Sequence, residues 1–163
     1  MKVFTTDKIK NIAIVAHGGA GKTSLVEAML YNAGVTSRLG KVDDGNTVTD
    51  YLPEEIKRKI TINTAIASLV WQDHKLNILD TPGYSDFIGD VKSALRVADS
   101  IVMTVCAVSG VEVQTEIIWE YAEAQNIPKF VFINKMDREN ANFYTVLDQL
   151  KSQFSGLITP IQL

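Results

Sequence analysis

The stretch Ala16-His17-Gly18-Gly19-Ala20-Gly21-Lys22-Thr23 limits what this chain can fold into more than any other. An apolar run, Ile12-Ala13-Ile14-Val15, leads into it, and an amphipathic run, Leu25-Val26-Glu27-Ala28-Met29-Leu30, leads out, so it joins a strand to a helix. Glycine adopts backbone conformations that let successive N–H groups face one anion. The helix that begins at Gly21 or Lys22 aims the positive end of its dipole at the same point. Strand, glycine loop and helix in this order read as a phosphate cradle. The contacting set is His17, Gly18, Gly19, Ala20, Gly21, Lys22, Thr23 and Ser24, with Lys22 neutralising terminal phosphate oxygens and the Thr23 hydroxyl offering one ligand to Mg²⁺. The pattern Gly-x-x-x-x-Gly-Lys-[Ser/Thr] is met except at its first glycine, where Ala16 stands.

The 163 residues suit one domain with a substantial core, and 46% hydrophobic against 21% charged residues argues against disorder. No run reaches the roughly 18–20 apolar residues of a membrane span, and Met1–Asp7 lacks an apolar signal core, so a cytoplasmic protein without membrane contact is expected. The single cysteine, Cys106, excludes an internal disulfide and a cysteine metal site, and its apolar surroundings predict a buried thiol. Two histidines are too few for a histidine metal cluster; His74 is expected in a solvated turn. A net charge of −3 gives no general attraction to nucleic acid, and sequence-specific DNA binding is not expected.

Strands are predicted over 8–16, 59–71, 75–80, 100–108 and 129–133, with a tight turn at Gln72-Asp73-His74 making a hairpin of the second and third. Helices are predicted over 22–33, closed by Gly34, then after a cap at Ser85 or Asp86, over 114–125 with Ile117, Ile118 and Tyr121 inward, and over 142–154. Residues 35–58 hold no sustained period and several turn formers, and are expected to be irregular and poorly ordered without ligand. Trp71 and Trp119 read as packing residues. The alternation gives a mostly parallel sheet with helices on both faces and one antiparallel hairpin strand, with nucleotide at the carboxyl ends of the strands.

Two further motifs fall at such strand ends. Asp80-Thr81-Pro82-Gly83 follows Leu76–Leu79, placing Asp80 to hold Mg²⁺ directly or through water and Gly83 to bring its N–H to a γ-phosphate. Asn134-Lys135-Met136-Asp137 follows the strand 129–133. Guanine presents N1–H and an exocyclic amine side by side, a pair that the Asp137 carboxylate can accept; adenine would leave it unpaired. Asn134 would contact the base and brace the phosphate loop, with the Lys135 stem over the base plane.

The ordered set Ala16–Thr23, Arg58-Lys59-Ile60-Thr61-Ile62, Asp80–Gly83 and Asn134–Asp137 resembles the G domain of translational GTPases. Phe87, Ser93-Ala94-Leu95-Arg96-Val97-Ala98-Asp99 and Val108-Ser109-Gly110-Val111-Glu112-Val113-Gln114 narrow the resemblance to the elongation factor G family, and its elongation-factor-G-like side branch in particular. The resemblance implies a P-loop NTPase fold and a monomeric GTPase that works on the ribosome with GTP or GDP and Mg²⁺. It implies switch I over 35–62 and switch II over 80–90. Thr61 would hold Mg²⁺ and sense the γ-phosphate, so that Thr23, Thr61 and Asp80 form the metal set and Lys22, Thr61, Gly83 and Tyr84 the catalytic one. A switched ribosome-binding module with negligible hydrolysis, a release factor and a ribosomal-protection protein are the alternatives.

The chain departs from the family at four points. Tyr84 stands where a histidine positions the attacking water; a phenol offers one hydrogen bond but no cation near neutral pH, so hydrolysis is expected to be slow without the ribosome. Gly19 replaces an aspartate linked to a monovalent cation, and Lys59 replaces the glycine before Ile60-Thr61-Ile62. The last strand, a Ser-Ala box and the last helix are not in the sequence, so residues 1–155 are expected to be an incomplete G domain and 156–163 the start of an insert within it. The alternative is that Ile158–Leu163 supplies the last strand.

Overall fold

A computed structural model describes residues 3–154 and 156–162. Burial alternates along the first strand: Ala13 and Val15 face one apolar layer, Ile14 the other, as strand geometry requires. Among the described residues, five strands, β1 (Ile9–Val15), β2 (Ala65–Trp71), β3 (His74–Asp80), β4 (Ser100–Cys106) and β5 (Lys129–Asn134), form one sheet in the order β2-β3-β1-β4-β5. Only β2 with β3 is antiparallel; β1 pairs in parallel with β3 and β4, and β4 with β5. The α/β class with one hairpin strand is therefore as the sequence predicts. The carboxyl ends of β1, β3 and β5, which carry the three motifs, lie along one sheet edge.

Among the described residues, five α-helices surround the sheet: α1 (Lys22–Asn32), α2 (Pro53–Arg58), α3 (Ile88–Leu95), α4 (Val113–Ala124) and α5 (Phe143–Gln153). Val26 and Leu30 of α1 cover Ile14 and Ile78, while α3, α4 and α5 bury Val91, Ile118, Trp119, Val146 and Leu150 against the opposite face. Gly34 at φ +71° closes α1, with Val35 N–H on the Leu30 carbonyl at 2.9 Å. Asn142 caps α5 by accepting the Thr145 N–H at 3.0 Å.

The structure corrects several expectations. The stretch 35–58 is not irregular throughout, because it ends in α2. Pro53 in the first turn, Glu54 and Glu55 behind it and Lys57 and Arg58 in the last turn are helix signals, but a helix of six residues is too short to leave a period. The strand predicted from Lys59 begins only at Ala65, which pairs with Asp80, the last residue of β3. Before it, the backbone donors go to side chains: Ile62 and Asn63 N–H to Glu55, Thr64 N–H to Asp90. Neither Ser85 nor Asp86 caps a helix by its side chain; residues 85–87 make a 3₁₀ turn that runs into α3. On α4 the buried face is Thr115, Ile118, Trp119 and Ala122, with Ile117 exposed. Trp119 stacks on Phe154 at 4.2 Å between centroids, whereas Trp71, on the edge strand, is 52% exposed. His74 opens β3 instead of lying in the turn, and is exposed. Residues 156–162 contain no strand; Ser155 and Leu163, at the predicted boundary and end, lie outside the described residues.

Candidate functional site

The phosphate loop turns through left-handed glycines at Gly19 (φ +78°) and Gly21 (φ +96°), and α1 starts at Lys22. The loop forms one wall of a cleft of about 290 Å³; Thr61, Gly83, Tyr84 and Lys135 are among the other walls. A Cβ on Gly21 would collide with Asn134 Nδ2, so the loop and the end of β5 touch. Asn134 Nδ2 donates to the Ala20 carbonyl at 2.9 Å, holding the loop's last turn. Asn134→Ala removes this brace and an amide beside the site, and is expected to weaken nucleotide binding about tenfold by equilibrium titration.

Lys22 and Asp80 are buried ionisable groups at this site. The Lys22 ammonium has a 3.3 Å bond to the His17 carbonyl, and burial pushes its pKa down to about 8 against the pull of Asp80 and Asp50. Burial pushes Asp80 up to about 6, opposed by the Thr49 hydroxyl, which donates to Oδ2 at 2.7 Å. The other oxygen, Oδ1, is buried and has no hydrogen-bond partner among the described residues. Each charged form is short of a counter-charge: an anion suits Lys22 and a cation suits Asp80.

Thr61 is buried in the same place. Its hydroxyl donates to Asp50 Oδ1 at 2.7 Å and so accepts from the Thr23 hydroxyl at 3.2 Å. Burial raises the Asp50 pKa, although the Thr61 hydroxyl lowers it. Thr49 and Asp50 were not found from sequence; they carry no motif, and only the fold-back of their segment onto α1 reveals them. Arg138, on the cleft wall, was also not found. The fold-back is anchored by Glu27 of α1, fully buried, which accepts the Val48 N–H at 2.6 Å.

The structure gathers Gly18, Gly19, Gly21, Lys22, Thr23, Ser24, Thr61, Gly83, Tyr84 and Lys135 around the cleft. Asp80 sits behind Thr49, and Ala20 takes part through its carbonyl. His17 does not face the cleft: Nδ1 lies 2.8 Å from the Gly18 carbonyl and 3.2 Å from Glu112 Oε1, and burial keeps the ring's pKa low despite Glu112. Asp137 is exposed and is not among the residues that line the cleft. The Tyr84 ring lies over Gly18 and is half-exposed at the cleft mouth. A second, apolar groove of about 440 Å³, lined by Ile9, Leu69, Val70 and Lys75, lies at the opposite ends of the parallel strands, away from these groups.

A glycine phosphate loop ending β1, a buried carboxylate ending β3 and an Asn-Lys-x-Asp box ending β5 mark a P-loop nucleotide-binding domain of the GTPase class. The chain belongs to the elongation factor Tu GTP binding domain family, which it matches over residues 7–160. It is 45% identical over its whole length to elongation factor G of Granulibacter bethesdensis, of which it spans 24%. A crystal structure of a protein from Thermus thermophilus superposes with a TM-score of 0.85 at 41% identity, over 89% of this chain and 22% of that one. The chain is thus a GTP-binding domain like that of elongation factor G, about a quarter of such a protein's length.

Proposed function

We propose that this domain hydrolyses GTP to GDP and phosphate for a longer, monomeric cytoplasmic factor that works on the ribosome, and that it turns over slowly away from the ribosome. The observation that supports this most is the closeness of Lys22, buried without a full counter-charge, to Asp80, whose Oδ1 is buried and has no hydrogen-bond partner among the described residues. A triphosphate with its cation satisfies both.

Lys22 and the N–H groups of the loop stabilise charge on the phosphates. Thr23, Thr61 and Asp80 fit a Mg²⁺ site: two hydroxyl oxygens and a free carboxylate oxygen, the oxygen donors this cation takes. Held by these residues, Mg²⁺ would offset the negative charge of the phosphates. Gly83 brings its N–H to the γ-phosphate, and Tyr84, at the cleft mouth, orients water through its hydroxyl. Asn134, Lys135 and Asp137 hold guanine, with Asp137 accepting its two adjacent N–H groups. Residues 35–62 and 80–90 are the two switches, and 156–163 begin an insert within the G domain.

Single-turnover phosphate release with and without ribosomes tests this. The expected result is release that is slow alone and accelerated by ribosomes, with Tyr84→Phe lowering the accelerated rate at least tenfold. An unchanged rate in Tyr84→Phe would remove the hydroxyl from the reaction. No release under either condition would favour a GTP/GDP-switched binding module.

A further inference from the structure

We infer that Glu55, which lines no part of the cleft, is the positioning residue for Thr61 and thereby sets how strongly the domain prefers a nucleoside triphosphate over a diphosphate. The inference rests on the reading of Thr61 given above. Glu55 is 1% exposed, an unusual place for a carboxylate, and its hydrogen-bond partners among the described residues are peptide N–H groups. Oε2 accepts from Leu52 N–H at 3.1 Å; Oε1 accepts from Ile62 N–H at 2.9 Å and Asn63 N–H at 3.1 Å. Its own carbonyl accepts the N–H of Lys59 and, at 3.3 Å, that of Ile60.

The positions of these donors give the residue its leverage. Leu52 follows Asp50 by two residues, and Ile62 follows Thr61 by one. One carboxylate therefore ties together the two segments that bring Asp50 and Thr61 to each other, with 2.7 Å between their oxygens, and to Thr23. Thr61 cannot leave the cleft without pulling Ile62 and Asn63 off Glu55. A buried carboxylate stripped of donors is expensive, so the segment 60–63 is held in or released as a unit. A γ-phosphate and its cation draw on Thr61, whereas a diphosphate does not reach it. Only the triphosphate then benefits from the clamp, and a ligand shifts a two-state segment by its differential contact alone.

Equilibrium titration of the chain and of Glu55→Ala and Glu55→Gln, each with GDP and with a non-hydrolysable GTP analogue in Mg²⁺, tests this. Amide hydrogen exchange at 60–63 in the nucleotide-free proteins is the second readout. Glu55→Ala is expected to weaken the analogue about tenfold or more while changing GDP about twofold at most. Glu55→Gln should fall between, because its amide oxygen still accepts from Ile62 and Asn63 while its NH₂ group meets the Leu52 N–H. In the nucleotide-free proteins Ile62 and Asn63 should lose exchange protection in Glu55→Ala. Equal weakening of both nucleotides, an unchanged ratio, or unchanged protection would each overturn the inference. Binding of neither nucleotide by the unsubstituted chain would instead count against the guanine reading, and the exchange data would still decide the clamp.

Discussion

Replacing Lys22 with methionine is expected to abolish useful nucleotide binding and at the same time to raise the stability of the nucleotide-free domain. The two effects have opposite signs for one reason. The ammonium is buried, and burial pulls its pKa from 10.5 to about 8 in spite of Asp80 and Asp50. The fold thus holds a charge whose desolvation is only partly offset, at a cost on the order of 3 kcal/mol near neutral pH. Methionine keeps the stem's packing and removes that cost. In the proposed nucleotide complex the same ammonium would face phosphate oxygens, and its loss should lower affinity at least about 100-fold. The pH dependence has a definite sign. Between about 8 and 10.5 the unfolded lysine carries more protons than the folded one, so the unsubstituted domain gains stability as pH rises through that window. The stability difference between the two proteins should shrink there, as read by denaturant unfolding at several pH values. A methionine variant that binds GDP normally, or that unfolds more easily at neutral pH, would contradict the assignment of Lys22.

Gly83→Ala should impair hydrolysis far more than binding. A Cβ at this position would run into Lys22 Nζ and stand 2.9 Å from the His17 carbonyl and 3.0 Å from Gly18 Cα. The lysine tip can swing aside, but the loop backbone cannot, so the segment after β3 must back away from the phosphate loop. GDP, held by the loop and the base box, should bind within a few-fold of normal, while single-turnover hydrolysis drops at least about tenfold. Gly89 is the comparison: among the described residues, nothing beyond its chain neighbours and own helix backbone lies within 4 Å of an added Cβ, and it sits in the first turn of α3. Gly89→Ala, although within the proposed switch 80–90, should lower the rate far less than Gly83→Ala and add about 0.5 kcal/mol of stability.

The fold class was legible because its signals are local and strong. β1 and β4 are apolar runs, α1 follows a glycine loop, and α5 repeats core residues at helical spacing. The three strand-end motifs were legible because backbone approach and charge restrict the residue types allowed there. What the sequence hid depends on contacts distant in the chain. Thr49 and Asp50 show their importance only when Val48 docks on Glu27 and Thr49 reaches Asp80. Glu55 reads as an ordinary first-turn glutamate until Ile62 and Asn63 close on it, which is also why β2 starts later than its β-branched run suggests. His17 carried motif weight, yet its ring turns to Glu112, whose approach depends on the path from β4 to α4.

The most direct test of the account is calorimetric titration of this chain with GDP and with ADP in the presence of Mg²⁺. The account predicts GDP binding at least about 100-fold tighter than ADP, because only guanine offers paired donors to Asp137. Comparable affinity for ADP would contradict the guanine assignment of the Asn134–Asp137 box and with it the reading of the site as a GTPase centre.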